Sequence, residues 1–250
     1  MTSIRKILAI MAALCLISCQ KDETLQYFNT TMGNFSDGKF ISDQGNTFNI
    51  KELACQNVSD TIARAIIVCD VLSKTGEKEY DIRLHDVSGV FTKTPVDSTS
   101  VTDSTIFVEN PLSIGEMWCS GGYINMFIYI PMKSGSTQAH LINLVRNDAS
   151  AEEGVYEFVL KHNAYGEVMT GEDTDFVLGG TYVSFPVAGM LKEDKATIRI
   201  RWTAHKEVEG AWSVETERNV LEYSWEKGGF EHKTSDTVPR PSFSQGCHWM

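Results

Sequence analysis

The feature that most constrains this chain is a two-residue alternation that recurs in short bursts from Lys39 onward. VYEFVLKH sets Tyr156, Phe158 and Leu160 against Glu157 and Lys161. TIRIRWTAH sets Ile198, Ile200 and Trp202 against Arg199, Arg201 and Thr203, and NVLEYSWEK sets Leu221, Tyr223 and Trp225 against Glu222, Ser224 and Glu226. Successive side chains point to opposite faces along a strand but not along a helix, so each burst predicts a strand with one buried face. YDIRLHDVSGVFT repeats the pattern with Tyr80, Ile82 and Leu84 on one face, and Lys74–Glu77 supplies a hairpin turn before it. Residues 59–72, SDTIARAIIVCDVL, also admit a helix capped by Ser59 or Asp60. Their β-branched density and the hairpin behind them favour a strand. In the second half, GEMWCSGGYINMFIYIPM reads as a long strand or bulged pair bent at Gly121–Gly122. Pro186 in TYVSFPVAG marks an edge or a bulge.

The runs fall into two groups. About five of them precede a Ser-, Thr-, Asp- and Pro-rich stretch, TKTPVDSTSVTDSTIFVENP, which is the size of a small closed barrel. Roughly six or seven follow it, the spacing of a β-sandwich. The expected fold is therefore all-β, a small N-terminal barrel followed by a C-terminal antiparallel β-sandwich. The expected organisation is a signal peptide over 1–18, a tether over 19–34, the barrel over 35–94, a linker over 95–110, the sandwich over 111–235 and a tail over 236–250.

The N-terminus carries a different signal. Arg5 and Lys6 precede an unbroken apolar run of eleven residues from Ile7 to Ile17, which suits a secretory signal and is too short to span a bilayer as a helix. Leu16-Ile17-Ser18-Cys19 resembles a bacterial lipobox, which makes Cys19 the expected site of lipid attachment. Only a cysteine offers the thiolate that accepts a diacylglyceryl group. Gln20, Lys21, Asp22 and Glu23 then form a charged tether. They also resemble the short export signal that carries Bacteroidetes lipoproteins to the outer face of the outer membrane. The expected location is the outer membrane, lipid-anchored and on the cell surface.

Loss of residues 1–18 removes two cations and no acid, taking the formal net charge from −11 to −13. An acidic protein of this kind excludes nucleic acid as a partner, which wants a basic stripe, and leaves membrane attachment to the acyl chains. Cys55, Cys69, Cys119 and Cys247 remain in a compartment that permits disulfides. Four cysteines allow three pairings, and buried free thiols are an equal alternative.

Catalytic signatures are missing. There is no Gly-x-Ser-x-Gly elbow, HExxH pair or P-loop, so no catalytic residue and no cofactor is expected. His85, His140, His162, His205, His232 and His248 are scattered and read as surface or edge-strand residues. Glu172, Asp173 and Asp175 share a loop, but Val177 stands where a calcium loop needs a ligand, so no metal is expected either. Trp202 and Trp225 sit in phase with apolar faces and read as core. Trp118, beside the Gly-Gly bend, and Trp212, in the loop EGAWS, are the candidate ligand-binding aromatics, since exposed rings suit a glycan. Thr61, Ser98, Ser104 and Thr237 each follow an aspartate in triplets that resemble an O-glycosylation site used in Bacteroides.

Several strings together, YDIRLHDVSGVFTK, WCSGGYINMFIYIP, HLINLVR, LKHNAYGE and YVSFPVAG, make the chain resemble the NigD-like lipoproteins of Bacteroides and relatives, from about residue 30 to about 235. The resemblance implies an oligonucleotide/oligosaccharide-binding (OB) type barrel followed by a β-sandwich. It also implies a non-enzymatic binding or protective role of bacteriocin-immunity or envelope-accessory kind, with no active-site positions to carry over. A barrel of that type does not by itself imply a nucleic-acid ligand. The expected partner is a protein, a bacteriocin or an envelope component; the alternative is a glycan, bound by a surface module that supports polysaccharide capture.

Overall fold

A computed structural model describes residues 29–55, 61–147, 152–170, 175–208 and 211–226. The alternation becomes strands throughout. β1 (Asn29–Ser36), β2 (Lys39–Ser42), β3 (Thr47–Leu53), β4 (Arg64–Lys74) and β5 (Glu79–Gly89) close into a barrel of order β1-β2-β3-β5-β4. β3 and β5 pair in parallel and the other neighbours antiparallel. Closure leaves no edge and buries Phe40, Phe48, Ile67, Cys69, Ile82 and Leu84 inside. RAIIVCDV is a strand, β4, and Tyr80, Ile82 and Leu84 do share the inner face.

Asn29–Asn34, expected within the tether, belong to β1 and pair with β4 from Asn29↔Cys69 to Asn34↔Arg64. The run is polar, so no apolar period marks it. Its place depends on Gly33, where a Cβ would lie 2.2 Å from the Ile41 carbonyl oxygen.

Beyond the barrel come β6 (Phe91–Thr92), β7 (Val96–Asp97), β8 (Ser113–Ser120), β9 (Tyr123–Lys133), β10 (Leu141–Asn147), β11 (Val155–Asn163), β12 (Phe176–Pro186), β13 (Lys195–Val208) and β14 (Ala211–Glu226). They form a five-stranded sheet, β14-β13-β11-β10-β7, facing a four-stranded one, β6-β12-β9-β8. The expected linker, 95–110, carries β7, which pairs with β10, and a 3-10 turn at Ser104–Phe107 capped by Asp103. Between the sheets lie Ile124, Met126, Ile128, Phe158, Phe185, Ile198 and Ile200, with Trp202 and Trp225 buried as their phase requires.

Gly121–Gly122 is the turn between β8 and β9, with φ of +58° and +89°. Two-residue hairpins whose twist matches their strands need positive φ at one or both positions, and glycine adopts it without strain. Pro186 is the last residue of β12, where its missing N–H removes no interior ladder bond.

Candidate functional site

The outer face of the four-stranded sheet is divided in two, and the division defines the candidate site. At one end the face is polar: Ser120, Asn125 and Ser184 point away from the core toward the barrel. Arg64, the first residue of β4, reaches across. It makes a paired contact with Asp43 (Nη1 to Oδ1 2.9 Å, Nη2 to Oδ2 2.8 Å) and donates to Asn125 Oδ1 (2.8 Å) and Ser184 Oγ (2.9 Å). Ser120 donates to Asp43 Oδ2 at 2.6 Å, and the guanidinium lies 3.8 Å from the centre of the Tyr123 ring. Arg64 and Asp43 are almost wholly buried, with side-chain exposures of 1% and 2%. A buried ion pair holds only when its remaining donors and acceptors are satisfied, and this one is satisfied from both domains. The barrel is thus fixed on one half of the sheet.

The other half is aromatic, and the barrel meets only its near end. Trp118 on β8, Tyr182 on β12, and Phe127 and Tyr129 on β9 form a chain of rings across three strands. Centroids are 6.3 Å apart for Trp118–Tyr182, 4.7 Å for Tyr182–Phe127 and 5.0 Å for Phe127–Tyr129, mostly in edge contacts. All four residues are half-buried. Two glycines let the rings approach the backbone of the sheet closely. A Cβ at Gly180 would meet Phe127 Cζ at 2.6 Å, and one at Gly115 would meet Tyr129 Cε2 at 2.7 Å. Burial pushes the Tyr182 hydroxyl's pKa up, and the neighbouring Glu116 carboxylate adds to the shift. At the barrel end Trp118 and Tyr182 pack against Met32, Ile66 and Val90. The result is an aromatic shelf in the corner between the domains.

Trp118 therefore belongs to the site, half-covered rather than freely exposed. Trp212 is on the other sheet by its backbone. Its backbone is in β14, opposite Glu207, rather than in a loop, and its side chain lies outside the described residues. The glycine–aromatic pairing could have been sought in the sequence, but Gly115 and Gly180 meet their rings only across neighbouring strands.

A second cluster corrects the expectation that the histidines are surface or edge-strand residues, since His162 and His205 stand on the interior strands β11 and β13. His162 and His205 are buried, and His140 Nδ1 lies 2.9 Å from His162 Nε2. His162 Nδ1 donates to the Pro111 carbonyl at 3.1 Å, so its Nε2 accepts from His140 by assignment of the network. His140 Nε2 faces Glu167 Oε2 at 3.5 Å, and Ser136 donates to the other oxygen of Glu167. Burial, then the neighbouring His140, holds His162 down at about 4. The hydrogen bond from Ser136 keeps Glu167 below its ordinary value. The dent beside them, lined by Asn110, Pro111, His162, Glu167, Met169 and His205, encloses no space of ligand size. The serine hydroxyl meets a carboxylate rather than an imidazole, so the order needed for an activated nucleophile is not present.

Among the described residues no group of three or more His, Cys, Asp or Glu is arranged to hold a metal ion, and no helix is long and apolar enough to cross a membrane. Cys55, Cys69 and Cys119 carry no disulfide. Burial pushes the thiols of Cys69 and Cys119 up to about 11 and about 12, values of inert interior thiols. Thr61 and Ser104 are exposed and Ser98 is half-buried. Cys19, Gln20, Lys21, Asp22, Glu23, Glu172, Asp173, Thr237 and Cys247 lie outside the described residues.

Solved structures share this architecture. A Bacteroides vulgatus protein of unknown function is similar at 18% identity and a TM-score of 0.61, over 88% of this chain and 97% of that one. A NigD-like immunity protein from Bacteroides caccae is similar at 16% identity and 0.54, over 79% and 96%. A candidate lipoprotein from Bacteroides fragilis is similar at 16% identity and 0.57, over 80% and 99%. At these identities the likeness shows the fold. No curated protein matches the chain in sequence. Residues 94–216 match the family model of the NigD-like C-terminal β-sandwich domain, which takes in the shelf rings Trp118, Phe127, Tyr129 and Tyr182. Residues 94–216 thus carry a NigD-like C-terminal β-sandwich domain, and with the barrel ahead of it the chain resembles the NigD-like proteins in architecture.

Proposed function

We propose that the chain is a lipid-anchored, non-enzymatic binding protein that takes up a protein partner on its aromatic shelf. The observation that carries this reading is the half-buried row of Trp118, Tyr182, Phe127 and Tyr129 on the outer face of a sheet. Large rings on a firm support are the usual anchors of protein interfaces. The names of two structural neighbours, an immunity protein and a candidate lipoprotein, agree with a protective role at a membrane. Anchoring falls to Cys19, and Gln20–Glu23 carry the protein to the cell surface. The partner is then a bacteriocin or an envelope protein.

The same rings give a second reading, glycan capture, because sugars also stack on aromatics. Its weakness is that, among the described residues, the dent lined by His162 and Glu167 lies away from the rings, which stand in no pocket of their own. Native electrophoresis of detergent-extracted membranes separates the two readings. The protein reading expects a discrete complex that Phe127→Ser with Tyr129→Ser abolishes while the circular dichroism spectrum is kept. A complex unaffected by the double change contradicts it, as does binding of host or bacterial polysaccharide that the change removes. Protease treatment of intact cells tests the location: digestion before lysis is expected, and survival until lysis contradicts surface exposure.

A further inference from the structure

β14 is the terminal strand of its sheet and pairs with β13 alone among the described residues. Over Val214–Glu222 it is largely exposed on both alternating faces, with Val214, Val220 and Leu221 at 44%, 50% and 38%. It contains no proline or glycine to blunt its open edge. Natural sheets rarely leave such an edge bare, because its free N–H and C=O groups template further pairing.

We propose that the occupant of this edge is a second copy of the chain, with β14 pairing antiparallel to β14 about a two-fold axis through Val220. The strand's own charges select this register. In an antiparallel pair, residues whose backbone groups point outward must meet their like, so a self-pairing two-fold passes through a residue and not between two. Arg218 is the only cation in the strand. An axis through Arg218 sets it against itself, one through Glu222 opposes two carboxylates, and axes through Asn219 or Leu221 leave Arg218 without an acid opposite. An axis through Val220 places Arg218 opposite Glu222 twice, Val220 against Val220, and no carboxylate against another.

The neighbouring ion pairs fit the same geometry. Within one chain Glu222 meets Arg199 at 3.0 Å and Arg218 meets Glu109 at 2.5 Å, all on the sheet's outer face. Joining the copies makes a continuous row of alternating charge, Arg199, Glu222, Arg218 of the second copy and Glu109 of the second copy. Such an interface is isologous and closes on itself, so it yields a dimer and not a fibre.

Cysteine substitution on the full chain tests the axis, read on non-reducing gels against the unmodified protein. Val220→Cys is expected to form a disulfide-linked dimer. Thr216→Cys and Ser224→Cys should each fail alone and link only when the two are mixed, because each faces the other across the axis. Equal linkage by all three single variants would mean random collision and would overturn the register. A monomeric product, including an internal bridge from Val220→Cys to Cys247, would overturn the dimer and assign the edge to the chain's own C-terminal segment. Charge exchange gives an independent reading by sedimentation in detergent. Arg218→Glu should abolish the dimer, and adding Glu222→Arg should restore it; a dimer indifferent to both changes contradicts the pairing.

Discussion

Arg64 shows how much a single residue carries in this fold. It begins a barrel strand, yet its partners Asn125 and Ser184 lie 61 and 120 residues away in the sandwich. Removing one member of a buried pair leaves the other charge unpartnered at a cost of about 3–5 kcal/mol. Arg64→Ala should therefore lower the unfolding free energy from urea denaturation by that order, or separate one transition into two. An unchanged midpoint would mean that the domains do not depend on this junction. None of this was legible in the sequence, because Arg64 and Asp43 are 21 residues apart and only the closed barrel brings them together. His162 makes a second prediction. Its folded value, about 4, lies below the unfolded one of about 6.5, so between these values the unfolded chain binds the extra proton. Stability is then full above about pH 6.5 and falls as pH drops toward 4, by about 3 kcal/mol in all. Denaturation at several pH values should show that slope, and His162→Gln should flatten it. The cluster escaped notice because His140 and His162 are 22 residues apart and meet only through the β10–β11 pairing.

At the scale of elements, the sequence was most informative where one face of a strand is buried. β11 and β13 place Tyr156, Phe158, Leu160, Ile198, Ile200 and Trp202 inward as their alternation requires. β1 was hidden because its polar residues lie in a barrel wall that accepts them, and β14 broke phase where Leu221 emerges at the sheet's edge. The β8–β9 hairpin offers a test of why its glycines are there. At Gly121 a Cβ would fall 2.4 Å from Asp43 Oδ1 in addition to the strain of φ +58°, whereas Gly135, at φ +76°, has nothing within 4 Å. Gly135→Ala should cost about 1 kcal/mol from the backbone alone, and Gly121→Ala about 2–3 kcal/mol more if the buried pair must move. Thermal denaturation of the two variants compares them directly, and equal losses would mean that the turn does not press on the junction.

At the scale of the whole molecule, one sheet face does two things. Its polar half, Ser120, Asn125 and Ser184, is taken by the barrel through Arg64, and its aromatic half lies in the corner that docking creates. Barrel, sandwich and family resemblance were legible from alternation and from quoted strings. The shelf was legible only at Trp118, since the other rings look like ordinary strand residues until β8, β9 and β12 align them. The most direct test is a photo-reactive amino acid placed at Phe127 in living cells, with exposed Lys39 on the barrel and Lys206 on β13 as controls. A shelf that binds a protein predicts a discrete cross-linked product from position 127 and none from either control. Cross-links of equal strength from all three positions, or none from 127, would contradict it.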